Sequence, residues 1–352
     1  MRQKFVFIQL GGGMDGLAAL RPDNHEILKT KRPGLLSDGY LKTQSGFAFH
    51  PKLSTLHQLF ENGELSFLNA CGLPIQDRSH FKSQDMLETG KLTPIARSGW
   101  LAEILNSMSD GSEAVCYGHR APLILKGTKH CFNWSSPTVL QEDYNLTRAF
   151  KDLYQDTPTL KDIPQKLTRI EDLLGGFSAR GKREDRFEII GKMLSRHDGP
   201  NIGVIRFGNW DTHDSQTKRL DKLFSGLDNG VSTLRTLMKH VWDNTIVIIA
   251  SEFGRTIGAN GTKGTDHGTG GLSFVLGGAV AGGHSLGSWP GLAEKDLFKG
   301  RDLMPVHDIR LLFAHIASQH FGLENAFIEN QLFPDLPKNH DSLGFIRSRN
   351  FV

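Results

Sequence analysis

Three short clusters carry residue types that could do chemistry together. Asp211-Thr-His213 follows an apolar run, Asp266-His267 sits in a glycine-rich loop, and Asp77-Arg78-Ser79-His80 precedes a short helical pattern. Aspartate and histidine are ligands for a divalent metal, and histidine also moves protons near neutral pH. Two more clusters join them. Asp15 follows three glycines, and Glu252 stands in Ser251-Glu252-Phe253-Gly254-Arg255-Thr256.

Each residue also has a plainer role. Asp15 is either a metal-binding carboxylate or the N-cap of a helix starting at Gly16. Asp211 could cap a turn, and Asp214 or Ser215 the next helix, leaving His213 without a metal to hold. Ser79 could cap the helix that runs to Glu88, and spacing alone favours that role. Alternatively it is a nucleophile at a helix N-terminus, where free N–H groups suit an anionic ester and Arg78 could clamp two of its oxygens.

The elements that must position these residues are strands. Lys4–Leu10, Glu64–Ala70, Asn201–Phe207 and Thr245–Ala250 are apolar, β-branched or aromatic runs, and each leads into one of the clusters. A further strand, Leu272–Leu276, follows the Asp266-His267 loop. Ligands bind at the carboxyl ends of strands in open α/β sheets, so this placement predicts one shared site. Carboxylates and imidazoles gathered on one edge repel or stay unpaired unless a cation binds them.

Helices are expected at 51–62, 98–108, 220–241 and 305–321. Strands are expected at 113–118 and 122–125, with a loop at 133–137. The stretch 139–197 reads as successive helices without a strand, an insertion or cap on a single domain covering 1–352.

The 352 residues carry a net charge of +3, too little to argue for nucleic acid or an anionic membrane. No run is long and apolar enough to span a bilayer, and Phe5–Ile8 is too short for a signal-peptide core. Cys71, Cys116 and Cys131 form no CxxC pair, which argues against thiolate zinc or thioredoxin-like chemistry. No dinucleotide fingerprint or Walker lysine is present. The composition carries no signal of oligomeric state.

Five motifs in this order resemble a large bacterial family of unknown function, often labelled sulfatase-like or twin-arginine-exported, within the alkaline phosphatase superfamily. They are Gly11-Gly-Gly-Met-Asp-Gly-Leu, Asp77-Arg-Ser-His-Phe, Trp210-Asp-Thr-His, Ser251-Glu-Phe-Gly-Arg-Thr and Gly264-Thr-Asp-His-Gly. The resemblance implies an alkaline-phosphatase-like fold: a doubly wound, mostly parallel sheet with helices on both faces. It also implies a metal-dependent hydrolase of phosphate or sulfate esters, holding zinc, calcium, magnesium or manganese. By position, Asp15 and Glu252 would hold the metal that activates Ser79. Asp211, His213 and His267 would hold a second. Arg78 and Arg255 would grip the ester oxygens, and His80 would be the acid for the leaving group. Phe253 stands where the superfamily has a ligating histidine, and Asp266 would compensate for it. No Cys-x-Pro-x-Arg signature is present, which argues against a formylglycine sulfatase. The substrate would be a small-molecule or glycan ester. Export to the periplasm is a family expectation, and a cytoplasmic location is expected if no leader has been removed. From a different class comes a non-catalytic binding protein on the same fold with a degraded metal site.

Overall fold

A computed structural model describes residues 2–93, 97–118, 120–134, 185–337 and 343–347. Its centre is β1 (Lys4–Gln9), whose six residues are all buried. Alternation along a strand sends Phe5 and Phe7 into one core, and Val6 and Ile8 into the other. A strand buried on both faces needs helices on both sides, and the chain supplies them.

The strands flanking β1 are β2 (Leu65–Gly72), β3 (Ala114–Tyr117), β4 (Cys131–Trp134), β5 (Ile202–Arg206), β6 (Thr245–Ala250) and β7 (Gly271–Leu276). Two short strands, β8 (Ser285–Leu286) and β9 (His307–Asp308), complete the sheet. The order is β8-β2-β7-β6-β1-β5-β3-β4, with β9 also paired to β2. All of these pairings are parallel except those of β7, which runs antiparallel to β2 and to β6. The reversal matters for the site. It brings the start of β7, and the loop before it, to the carboxyl edge of the other strands.

One face is covered by α3 (Ser54–Glu61), α6 (Asp185–Ser195) and α7 (Gln216–Leu237) through Leu56, Phe187, Ile190, Phe224 and Val231. The other is covered by α4 (His80–Thr89), α5 (Trp100–Ser107) and α8 (Arg310–His315). There Trp100 stacks on Phe313 with ring centroids 4.8 Å apart and meets Phe5 and Phe7 edge-on. This is the doubly wound, mostly parallel α/β architecture expected. Two short helices, α1 (Gly16–Ala19) and α2 (Glu26–Lys31), precede a small sheet formed by Leu20–Pro22, Leu41–Lys42 and Phe47–Phe49.

Local expectations were corrected in places. Leu123–Leu125 is a 3-10 turn rather than a strand, and Asn133 and Trp134 belong to β4 rather than to a loop. The helix expected over 305–321 opens with β9 and closes in a π-helical turn at Ile316–His320. Of the expected helical insertion, 139–184 lies outside the described residues. The described part, α6, is a helix of the core layer, with Phe187, Ile190 and Leu194 wholly buried. Cys71, Cys116 and Cys131 are all free, and burial pushes the Cys71 thiol up to about 12. Among the described residues no helix is long and apolar enough to cross a membrane.

Candidate metal centre

The carboxyl edge of the sheet gathers the loops after β1, β2, β5 and β6 and the loop before β7. They approach closely because glycines stand where they touch. Gly12 has φ +123°, and a Cβ there would lie 2.4 Å from the Asp211 amide nitrogen. A Cβ on Gly254 would lie 1.9 Å from the Gly270 oxygen. These contacts are backbone to backbone, so only glycine fits. Asn209, at φ +77°, turns the chain between β5 and Asp211.

Within this edge, atoms of His80, Asp211 and His267 lie within 4.8 Å of one another. His267 Nε2 is 3.0 Å from His80 Nε2 and 3.1 Å from Asp211 Oδ1. His80 Nε2 is 3.4 Å from Asp211 Oδ2. His213 adjoins from the other side, its Nε2 2.9 Å from Asp211 Oδ1 and 3.0 Å from His267 Nε2.

The outer nitrogen of each ring decides what the inner one can do. His267 Nδ1 lies 3.0 Å from the Arg78 carbonyl, which can only accept, so Nδ1 carries the proton. His80 Nδ1 lies 2.8 Å from Glu252 Oε1, and His213 Nδ1 lies 3.2 Å from Asp266 Oδ1. With these protons placed outward, the three Nε2 atoms present lone pairs to one another and to a carboxylate. A cation at the centre would satisfy all of these lone pairs at once. A metal-binding histidine typically gives its other N–H to a carboxylate or carbonyl, the pattern found three times here. An ion about 2.0–2.1 Å from its ligands spaces tetrahedral donors about 3.4 Å apart, close to the separations found. The residues present therefore fit a divalent metal.

Electrostatics support the same arrangement. Partial burial pushes the Asp211 carboxyl up, but the hydrogen bond and charge of Arg255, with His267 and His213, outweigh it and hold it at about 2. Burial likewise opposes ionisation of Glu252, and donors from His80, Gln84 and the Gly12 amide more than offset it, so its pKa is lowered. The Glu252 hydrogen bond raises His80, which favours its protonated form, so a metal ion would have to displace that proton. Burial lowers His267 although the adjacent Asp211 carboxylate opposes the shift, which favours the neutral, ligating form.

The residues expected in the site fall into distinct positions. His80, expected as an acid, faces the cluster beside Asp211, His213 and His267. Glu252 and Asp266, expected as ligands, stand behind His80 and His213 and hold their rings. Asp15 is not brought to the cluster. It is the N-cap of α1, accepting from the Ala18 amide, and its oxygens also meet Arg32 at 2.8 and 2.9 Å and Gln216 at 2.7 Å. Both Asp15 and Arg32 are buried, so the pair is closed. Arg255 is also unavailable to a ligand. Its side chain is 0% exposed and spends its donors on the carbonyls of Gly12, Gly13, Trp210 and Thr265 and on Asp211 Oδ1. Arg78 gives Nη2 to buried Asp302 at 2.6 Å. Phe253 is buried, with its ring 4.8 Å from that of His80 and 4.9 Å from that of His267, walling the imidazoles in place.

Ser79 is the N-cap residue of α4, but its hydroxyl does not bond the helix, and its own amide donates to Asp77 Oδ1 at 3.0 Å. A cleft of about 320 Å³ opens beside the cluster, lined by residues that include His80, Gln84, Arg206 and Asp211 and not Ser79. Sequence reasoning missed Arg206 and Gln84. The one signal for Arg206 was a charge closing an otherwise apolar strand.

A family described as a protein of unknown function, DUF1501, matches residues 121–332. No curated protein matches the chain. Among solved structures, the chain is similar to a protein in the alkaline phosphatase superfamily from Vibrio parahaemolyticus, at 15% identity and a TM-score of 0.36. That match covers 78% of this chain and 60% of the other, so the chain spans less than two thirds of its length. It is similar to the alkaline phosphatase from the Antarctic bacterium TAB5, at 11% identity and a TM-score of 0.39, over 81% of this chain and 95% of the other. It is also similar to the C-terminal periplasmic domain of the phosphoethanolamine transferase EptC from Campylobacter jejuni, at 10% identity and a TM-score of 0.40, over 97% of each chain. Because the family match spans more than half of the 352 residues, this chain is a member of the DUF1501 family of unknown function.

Proposed function

We propose that this protein is a metal-dependent hydrolase of phosphate or sulfate esters. The observation that carries the proposal is the convergence of His80 Nε2, His267 Nε2 and the Asp211 carboxylate, with each ring anchored from behind. His80, Asp211 and His267 would hold the ion, with His213 adjoining. The imidazole-rich set suits zinc better than calcium or magnesium, which prefer all-oxygen shells. A bound divalent ion supplies Lewis-acid polarisation of an ester oxygen.

The chain's own groups do the rest. Glu252, Asp266 and the Arg78 carbonyl keep the ring protons outward. Arg255 holds Asp211 ionised and locks the glycine loop beneath it. Ser79 is the proposed nucleophile, at the N-terminus of α4 and one residue before His80, where amides and dipole favour an anionic ester. The substrate is a small-molecule or glycan ester, and the fold is read as one domain over 1–352.

The test is turnover of p-nitrophenyl phosphate and p-nitrophenyl sulfate by zinc-loaded protein. Hydrolysis lost in Ser79→Ala with metal retained supports the proposal. Hydrolysis retained in that variant reassigns the attack to water. A second reading, a non-catalytic binding protein, draws on the absence of Ser79 from the cleft lining. Stoichiometric metal without turnover of either ester favours it.

A further inference from the structure

We propose that Arg206 binds the charged oxygens of the substrate's phosphate or sulfate group. This deepens the metal-hydrolase reading and rests on it. Ester oxyanions need a cationic fork in the cleft, and neither of the two arginines that the motifs supplied lines it. Arg255 is wholly buried on four carbonyls and Asp211, and Arg78 is paired with Asp302. Among the residues lining the cleft beside His80 and Asp211, Arg206 is the one lysine or arginine.

Its placement follows from the sheet. Arg206 is the last residue of β5 and the register partner of Gln9, the last residue of β1, so it stands on the same carboxyl edge as the glycine loop. One arm is fixed. Nη2 donates to Glu88 Oε1 at 3.0 Å, and Glu88 is itself buried on α4. Glu88 also accepts from Gln9 Nε2 at 3.1 Å and from the Ile124 amide at 2.9 Å, so three elements anchor it. The Arg206 side chain is 50% exposed. No described residue takes a hydrogen bond from its Nε or Nη1.

A guanidinium tethered at one nitrogen has lost much of its rotamer freedom, yet it keeps donors for two oxygens of a tetrahedral anion. Arginine suits such planar, paired contacts better than lysine. The cleft, about 320 Å³, has room for the anion and the start of its leaving group. The ligand class is a tetrahedral oxyanion held between Arg206 and the metal centre.

The test is calorimetric binding of inorganic phosphate, and separately of sulfate, to zinc-loaded wild type, Arg206→Gln and Arg206→Lys. Metal content and melting temperature are recorded for each. A charge-assisted contact predicts roughly ten- to hundredfold weaker anion binding in Arg206→Gln, with metal content unchanged. Arg206→Lys keeps a charge beside Glu88 but lacks the fork, and is expected to recover only part of the loss. If Arg206→Gln folds poorly, Arg206→Lys decides the matter. Unchanged binding in the folded variants overturns the assignment, as does a wild type that holds zinc and binds neither anion. The relative affinity for the two anions separates phosphate from sulfate esters. A wild type that takes up no metal overturns the metal-centre reading as well, which distinguishes that failure from failure of Arg206 alone.

Discussion

His80 Nε2 faces His267 Nε2 at 3.0 Å, and with both Nδ1 protons committed to outer acceptors the two neutral rings have no hydrogen to share between them. Two such lone pairs beside an ionised Asp211 are satisfied either by a second proton on His80, which Glu252 favours, or by a metal ion that displaces it. Purified protein should bind one equivalent of divalent metal, and His80→Ala or His267→Ala should abolish it. Metal content by mass spectrometry checks this. Full occupancy in either variant would show that the cluster is not the site.

Glu252 touches none of the other inner residues except His80, yet it fixes that ring. Glu252→Gln should weaken metal binding by roughly 10- to 100-fold, the usual cost of losing an outer partner. Competition with a chelator measures it. An unchanged affinity would mean that His80 is oriented by packing against Phe253 alone.

Asp15 and Arg32 form a closed, buried pair away from the cluster. Asp15→Asn should leave metal content unchanged. Arg32→Ala leaves a buried carboxylate uncompensated and should cost roughly 3–5 kcal/mol of stability in denaturant unfolding. Loss of metal in Asp15→Asn would return Asp15 to the site.

Gly254 packs against the Gly270 carbonyl, with no flexible side chain to give way. Gly254→Ala must separate the β6 loop, which carries Arg255, from the strand that follows His267. We expect roughly 1–3 kcal/mol of destabilisation, typical of overpacking, together with weakened metal binding. Thermal melts with and without zinc report both.

His50 is buried under α7 and should make stability depend on pH. Burial lowers its pKa to about 4, with nearby Asp221 opposing and Lys52 assisting the shift. The folded value lies below the unfolded value of 6.5, so the unfolded chain takes up the proton first. The contribution is full above about 6.5 and is lost as pH falls toward 4, the loss totalling on the order of 3 kcal/mol. Unfolding followed from pH 7 to pH 4 should show a shallower decline in His50→Asn than in wild type.

The place where polar side chains gather was legible from the amino-acid order. Apolar β-branched runs must be buried strands, and each polar cluster follows or precedes one, so Asp211, His267 and Glu252 were legible as neighbours. The glycines between them announced loops in close contact. Short apolar runs were less legible: Leu123–Leu125 has too few residues for periodicity to separate a strand from a 3-10 turn. The partners of each side chain come from long-range packing. A carboxylate near the edge is an inner residue, an outer anchor or a structural cap according to its partner. Those partners are distant in sequence or, like the Arg78 carbonyl behind His267, independent of residue type. Asp15 lost its place to Arg32, while His80 gained one from Glu252, 172 residues away. The antiparallel course of β7 was equally hidden, because an apolar strand does not encode its direction. That reversal carries His267 back to the edge where His80 and Asp211 meet it.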